Sequence, residues 1–206
     1  MWMIALSFLI CHLSFAVSAC SKEETEAGEW DDWQQRNEVV LASLVDSVKS
    51  HPAQWQRILS YAKSPQTEHD AHQYIYVKTV EQGSGTECPA FTDSVRIVYQ
   101  GRLIPSATYS QGFVFDGSVY GQFSVSTSST AKMLVSNTVV GFSTALQHMH
   151  RGDRWRIYIP SELGYGETGQ SDANIPGYSL LVFDVKLIDF SHVGQAMPAW
   201  SSRQRR

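Results

Sequence analysis

Residues able to do covalent or metal chemistry are few in this sequence, and their spacing is unhelpful to either. His69 and His72 form one close histidine pair, His148 and His150 another. Neither pair has a third ligand at a spacing diagnostic of a zinc site, so both read as surface or internally satisfied histidines. Cys88 beside Pro89 reads as a loop thiol. Gly83-Ser84-Gly85 lacks the Gly-Lys-Ser/Thr continuation of a phosphate-binding loop and reads as a turn. There is no Gly-x-Ser-x-Gly elbow to present a serine nucleophile. A Ser-His-Asp triad assembled from distant positions stays open at this point, but no nucleophile–base pair stands out.

The elements that must position any site follow from periodicity. Leu41, Leu44, Val45 and Val48 stand at i, i+3, i+4 and i+7, a helical stripe within 29–63. Pro52 suits the first turn of a second helix, which would present Trp55, Ile58, Leu59 and Ala62 on one face. Two short amphipathic helices must bury their stripes, either on the following domain or as an arm for dimerisation or client holding. Residues 64–73 are polar, contain Pro65 and read as a linker.

Beyond it the period becomes two. Residues 74–81 and 95–99 alternate; Trp155, Ile157 and Ile159 share a face; Leu181, Phe183, Val185 and Leu187 oppose Asp184 and Lys186. One short helical stripe interrupts the strands: Phe142, Ala145, Leu146 and Met149, after Gly141. The pattern predicts an α+β fold, an antiparallel β-sheet curled around one short helix, with an N-terminal helical segment.

The start of the chain is different. Residues 1–19 carry no charge and run from an apolar stretch into Val17-Ser18-Ala19, ahead of Cys20. The stretch is short for a membrane span and fits a signal peptide, although no Lys or Arg precedes it. Val17-Ser18-Ala19-Cys20 resembles a bacterial lipobox, which implies acylation of Cys20, a tether over 20–28 and a lipid-anchored place in the cell envelope. The sequence has 3 cysteines; with Cys11 removed and Cys20 acylated, Cys88 has no partner for a disulfide. Net charge of -4 and pI near 5.9 leave no basic surplus to neutralise phosphates, which argues against a nucleic-acid partner. The basic tail within 191–206, Arg203-Gln204-Arg205-Arg206, reads as a solvated end.

Five motifs in order carry a family resemblance. Val98-Tyr99-Gln100-Gly101 resembles V-x-Y-x-G, and Phe115-Asp116-Gly117-Ser118 resembles F-D-S-S. Residues 139–149 are similar to V-I-x-G-W-x-x-A-L-x-x-M. Gly152 followed by Ile159-Pro160-Ser161-Glu162-Leu163-Gly164-Tyr165-Gly166 is similar to G-x-x-x…I-P-x-x-L-A-Y-G. Ile175-Pro176 and Leu181-Val182-Phe183-Asp184-Val185 resemble the closing I-P-x…L-V-F-D-V. They fall in order within residues 74–190 and together resemble the FKBP-type peptidyl-prolyl cis/trans isomerases.

The resemblance implies rotation about X–Pro amides in proline-containing polypeptide clients, with neither metal nor cofactor. Amide resonance sets a barrier of ~18–20 kcal/mol, and X–Pro is the bond where both isomers are comparably populated. Twisting breaks the resonance and lowers charge separation, so an apolar aromatic cup favours the twisted form over the planar one. Carried over by position, the cup comprises Tyr99, Phe115, Asp116, Val139, Phe142, Tyr165, Ile175 and Phe183. Phe142 is its floor, and Tyr99, Phe115 and Phe183 are walls. The Val139 N–H and the Tyr165 hydroxyl hold substrate carbonyls, Asp116 polarises the site, and Phe123 is a further candidate wall. Three departures mark the chain: Phe142 where tryptophan is usual, Leu163 where some members carry tyrosine, and a stretch from Ile104 to Val114 longer than usual. A weakly catalytic chaperone, or an accessory lipoprotein of a secretion or motility machine, is the rival reading of the same cup.

Overall fold

The computed structural model describes residues 28–119 and 121–199. The proposed signal peptide and Cys20 therefore lie outside the described residues. Among the described residues two α-helices, α1 (Trp33–Ser50) and α2 (Val140–Leu146), accompany seven strands: β1 (Trp55–Leu59), β2 (Tyr74–Glu81), β3 (Ser94–Arg102), β4 (Val114–Gly117), β5 (Ala131–Leu134), β6 (Arg154–Ile159) and β7 (Leu181–Ser191). The strands form one antiparallel sheet in the order β1-β2-β6-β7-β3-β4, with β5 also paired to β3. The sheet is open, and α2 packs on its concave face, as the alternation of the strands and the single internal stripe require.

Burial alternates along β6, whereas β3 and β7, central in the sheet, are buried on both faces. Leu181, Phe183, Val185 and Leu187 are buried on the helix side. On the opposite face Asp184 accepts 2.9 Å hydrogen bonds from Arg154 Nε and Arg156 Nη2. Glu81 continues this ladder by pairing with Arg154 and Lys186. Phe142, Ala145, Leu146 and Met149 are all buried. Gly141 has a steric reason: a Cβ there would lie 2.3 Å from Ile159 Cγ2, so only glycine lets α2 approach β6 this closely.

The N-terminal segment is part of the domain. Trp33, Leu41 and Leu44 join the main core cluster. Trp33 Nε1 donates to Ser179 Oγ at 2.9 Å. Asn37 is buried, donating to Trp33 O and accepting from the Leu180 N–H at 2.8 Å. The stripe of α1 is thus covered by its own domain.

The second helix expected after Pro52 is absent. Residues 55–59 instead form β1, paired antiparallel with β2 from Trp55↔Lys78 to Leu59↔Tyr74. Apolar residues at 55, 58 and 59 suit a helix, but β2 would otherwise present a bare edge of unpaired N–H and C=O groups, and pairing wins. The sheet therefore begins at Trp55, before the boundary expected at 74, and 64–73 is a loop inside the domain. Among the described residues no helix is long and apolar enough to cross a membrane.

Candidate functional site

A cavity of about 550 Å³ opens between α2, the end of β3, and the loop after β6. Tyr99, Asp116, Val139, Phe142, Tyr165 and Phe183 line it. Six of the eight expected site residues are thus brought together by four different strands or loops and one helix. Phe142 is 3 % exposed and forms the floor, its ring 4.6 Å from that of Phe183 and 6.3 Å from that of Tyr99.

Phe115 acts one layer back. Its ring meets Phe183 edge-on at 5.5 Å, which fixes the wall from behind. Local backbone geometry places it there. Arg102 faces Val114 and Gly101 faces Asp116, so Phe115 is an extra residue on β4, a β-bulge. A bulge re-aims side chains next to sites, and here it lets the consecutive Phe115 and Asp116 both serve the cup. Gly101 is the complement on β3. A Cβ at this position would sit 2.6 Å from Phe183 and 2.8 Å from Phe115, so the two rings occupy the space a side chain would need.

Polar groups ring the mouth. The Tyr99 hydroxyl donates to Asp116 Oδ2 at 2.7 Å, and the Gly117 N–H donates to Asp116 Oδ1 at 2.8 Å. Burial, aided by the Asp116 carboxylate, pushes the Tyr165 hydroxyl above the ordinary tyrosine value. It remains a protonated donor across the neutral range. Val139 stands at the N-cap of α2, where the first N–H groups of a helix have no partner within it.

Ile175 does not line this cavity. It is buried and pairs across the loop with Gln170, and its side chain faces a neighbouring cavity with Trp30 and Tyr109. Phe123 is also elsewhere: Arg154 packs over its ring at 4.1 Å, on the ion-ladder face. Sequence reasoning missed Met133, Ser136, Asn137 and Thr138, which complete the rim. Met133 lies on β5 next to β3. The other three form a turn held by Thr138 Oγ1 and Ser143 Oγ, both donating to Val135 O. Their only signal was position, immediately before Val139.

The histidines have local partners. His72 Nε2 lies 2.9 Å from Glu38 Oε2, His69 bonds Gln73 and Ser64, and His148 Nδ1 bonds Thr144 O at 2.8 Å. Burial works to lower His72, but the hydrogen bond and charge of Glu38 outweigh it and leave its pKa raised.

An open antiparallel sheet wrapped on a short helix, with an aromatic cup where the helix begins, defines an FKBP-like fold. The profile of the FKBP-type peptidyl-prolyl cis-trans isomerases matches residues 85–188, and the chain belongs to that family. It is 37% identical over 125 residues to the macrophage infectivity potentiator of Trypanosoma cruzi, covering 61% of this chain and 57% of that protein. It is 39% identical over 115 residues to the FKBP-type 22 kDa peptidyl-prolyl cis-trans isomerase of Escherichia coli, covering 56% of this chain and 49% of that protein. The chain spans about half the length of these curated relatives. A crystal structure of a peptidyl-prolyl cis-trans isomerase from Pseudomonas syringae has the same fold, with a TM-score of 0.55 and 24% identity over 80% of this chain and 98% of that one.

Proposed function

We propose that this chain accelerates cis/trans isomerisation of X–Pro bonds in exported polypeptides, through Tyr99, Phe115, Asp116, Val139, Phe142, Tyr165 and Phe183. The observation that carries the reading is the Phe142 floor, buried and walled by Tyr99 and Phe183, beneath a rim that bears the Tyr165 hydroxyl. A proline ring seats on Phe142. Its flanking carbonyls meet the Val139 N–H and the Tyr165 hydroxyl, which stay fixed while the amide turns. The apolar walls exclude water, and so favour the less polar twisted amide over the planar one. Replacing tryptophan by Phe142 leaves a floor without an indole N–H, so the cup acts by shape and desolvation. A protease-free isomerisation assay tests this: Tyr165→Phe and Asp116→Ala should depress turnover while thermal unfolding stays cooperative. Wild-type protein that binds X–Pro peptides and leaves their exchange at the uncatalysed rate would make it a binding module instead.

The proposal extends to location and assembly. Val17-Ser18-Ala19-Cys20 supports lipid anchoring through Cys20 in the cell envelope. Several acyl chains anchor stably where one is marginal, at ~0.8 kcal/mol per buried CH₂. Loss of radiolabelled palmitate from Cys20→Ser is the test; retained label refutes it. A homodimer through 29–63 would have to use the outer face of α1, where Val39 is exposed, because Leu41 and Leu44 are spent on the domain's own core. Sedimentation of the full chain and of Val39→Glu decides it.

A further inference from the structure

A second cavity, of about 730 Å³, lies beside the cup. Its apolar surface comes from Trp30, Tyr109, Phe113, Ile175 and Pro176, with Trp30 37 % and Tyr109 41 % exposed. Exposed rings of this size grouped in a concavity mark a binding surface more often than chance.

Three parts of the chain build it, and all three lie outside the strands. The first is the long stretch from Ile104 to Val114, which supplies Tyr109 and Phe113 with their rings 5.1 Å apart. The second is the start of the N-terminal segment, where Trp30 stacks edge-on against Trp33 at 4.8 Å. A clamp joins these two. Glu29 accepts hydrogen bonds from the Ser106 hydroxyl and, at 3.0 Å, from the Thr108 N–H. Arg36 donates to Pro105 O at 2.9 Å and to Glu29 O at 3.2 Å. The clamp hydrogen bonds hold the Glu29 pKa below its ordinary value, so the acid is ionised and already paired rather than available to a ligand.

The third part is shared with the cup. Tyr165 lines the cup, and ten residues later Ile175 and Pro176 line the groove. The loop between folds back on itself: Tyr178 N donates to Gly166 O at 2.9 Å, Gly169 N donates to Tyr165 O at 3.2 Å, and Gln170 pairs with Ile175. On the other side Phe113 directly precedes β4, whose Phe115 and Asp116 serve the cup. The loop after β6 therefore lines both cavities, and the residue before β4 lines the groove while β4 itself lines the cup, so the two cavities adjoin through continuous chain.

We propose that this groove is a second subsite that binds apolar or aromatic residues flanking the proline in the same client polypeptide. The inference rests on the isomerase reading, and the Glu29–Arg36 clamp is the positioning device that gives the subsite its shape. A short peptide fills the cup alone; a longer one also fills the groove. Specificity for extended, apolar-flanked clients is thus set by segments outside the sheet.

The test uses the full chain, a short capped X–Pro peptide, and a longer peptide with the same X–Pro core flanked on both sides by leucine and tryptophan. KM, kcat and the Kd of each labelled peptide are measured for wild type, Trp30→Ser, Tyr109→Ser and Glu29→Gln. KM and Kd of the longer peptide should rise about fivefold in Trp30→Ser and Tyr109→Ser, a usual size for losing one aromatic anchor, with kcat and all short-peptide values unchanged. Glu29→Gln should raise the same two constants and speed hydrogen exchange in 104–114. Equal effects on both peptides, or none on the longer one, would overturn the subsite. Should the wild type turn over neither peptide, the isomerase reading fails by itself, and Kd of the longer peptide alone decides the groove.

Discussion

The Tyr99 hydroxyl donates a 2.7 Å hydrogen bond to Asp116 Oδ2, joining β3 to the bulge of β4 across the mouth of the cup. The bond fixes the carboxylate beside Tyr165, whose hydroxyl it helps keep protonated. Tyr99→Phe removes the donor while retaining the ring that faces Phe142. Expected is a loss of about 1 kcal/mol in thermal unfolding, with a larger proportional fall in isomerisation kcat/KM than Phe115→Leu produces. A Tyr99→Phe protein with unchanged turnover would show that Asp116 needs no such hold.

Gly101 makes room for two touching rings by its own lack of a side chain. Gly101→Ala puts a methyl within 3 Å of both Phe183 and Phe115. Overpacking of this kind costs about 1–3 kcal/mol. Aromatic ring resonances of Phe183 and Phe142 should shift, and kcat/KM should fall with them. Unmoved resonances would mean the walls have slack.

The Asn37 side chain is the polar pin of α1. Asn37→Leu strips the acceptor from the buried Leu180 N–H. An unsatisfied buried donor costs about 1–3 kcal/mol, and because α1 shares the main core the whole domain should unfold in one transition at lower temperature. A separate early transition for α1 would contradict its place in that core.

His72 gives a pH signature. Its folded pKa is raised by Glu38, so the pair contributes stability that is fully present below the unfolded value near 6.5 and is lost as pH rises through the folded value. Wild type should therefore lose a little stability between mildly acidic and mildly alkaline pH relative to Glu38→Gln, in which that slope flattens. The pair is largely exposed, so the effect is small.

Burial raises the Cys88 thiol above its ordinary value, with Asp153 adding to it. The thiolate is the reactive form. Alkylation by iodoacetamide at neutral pH should be slower than for an unstructured cysteine peptide and should reach the peptide's rate on denaturation.

Much of this architecture was legible beforehand, and for identifiable reasons. Alternation at 155–159 and 181–187, and the stripe from Phe142 to Met149, are local patterns that burial on one face leaves in the chain. The apolar spacing of Trp55–Leu59 suits a helix, while the force that makes it a strand, pairing with β2, acts between distant residues. The cup's centre was legible through the motif positions, since the Gly101 and Gly141 contacts leave the sequence little freedom there. Its rim was not. Ser136, Asn137 and Thr138 enter through backbone curvature, which has no period, and Ile175 turns toward the groove because the loop around Gln170 folds back on itself.

Turnover of X–Pro amides on the Phe142 cup is open to direct observation. Two-dimensional exchange NMR on an X–Pro peptide, with a catalytic amount of the full chain and no coupling protease, tests it most directly. Exchange should run well above the uncatalysed rate, be strongly reduced in Phe142→Ala and be reduced in Tyr165→Phe. Exchange indistinguishable from peptide alone, with the protein folded and the peptide bound, would contradict it.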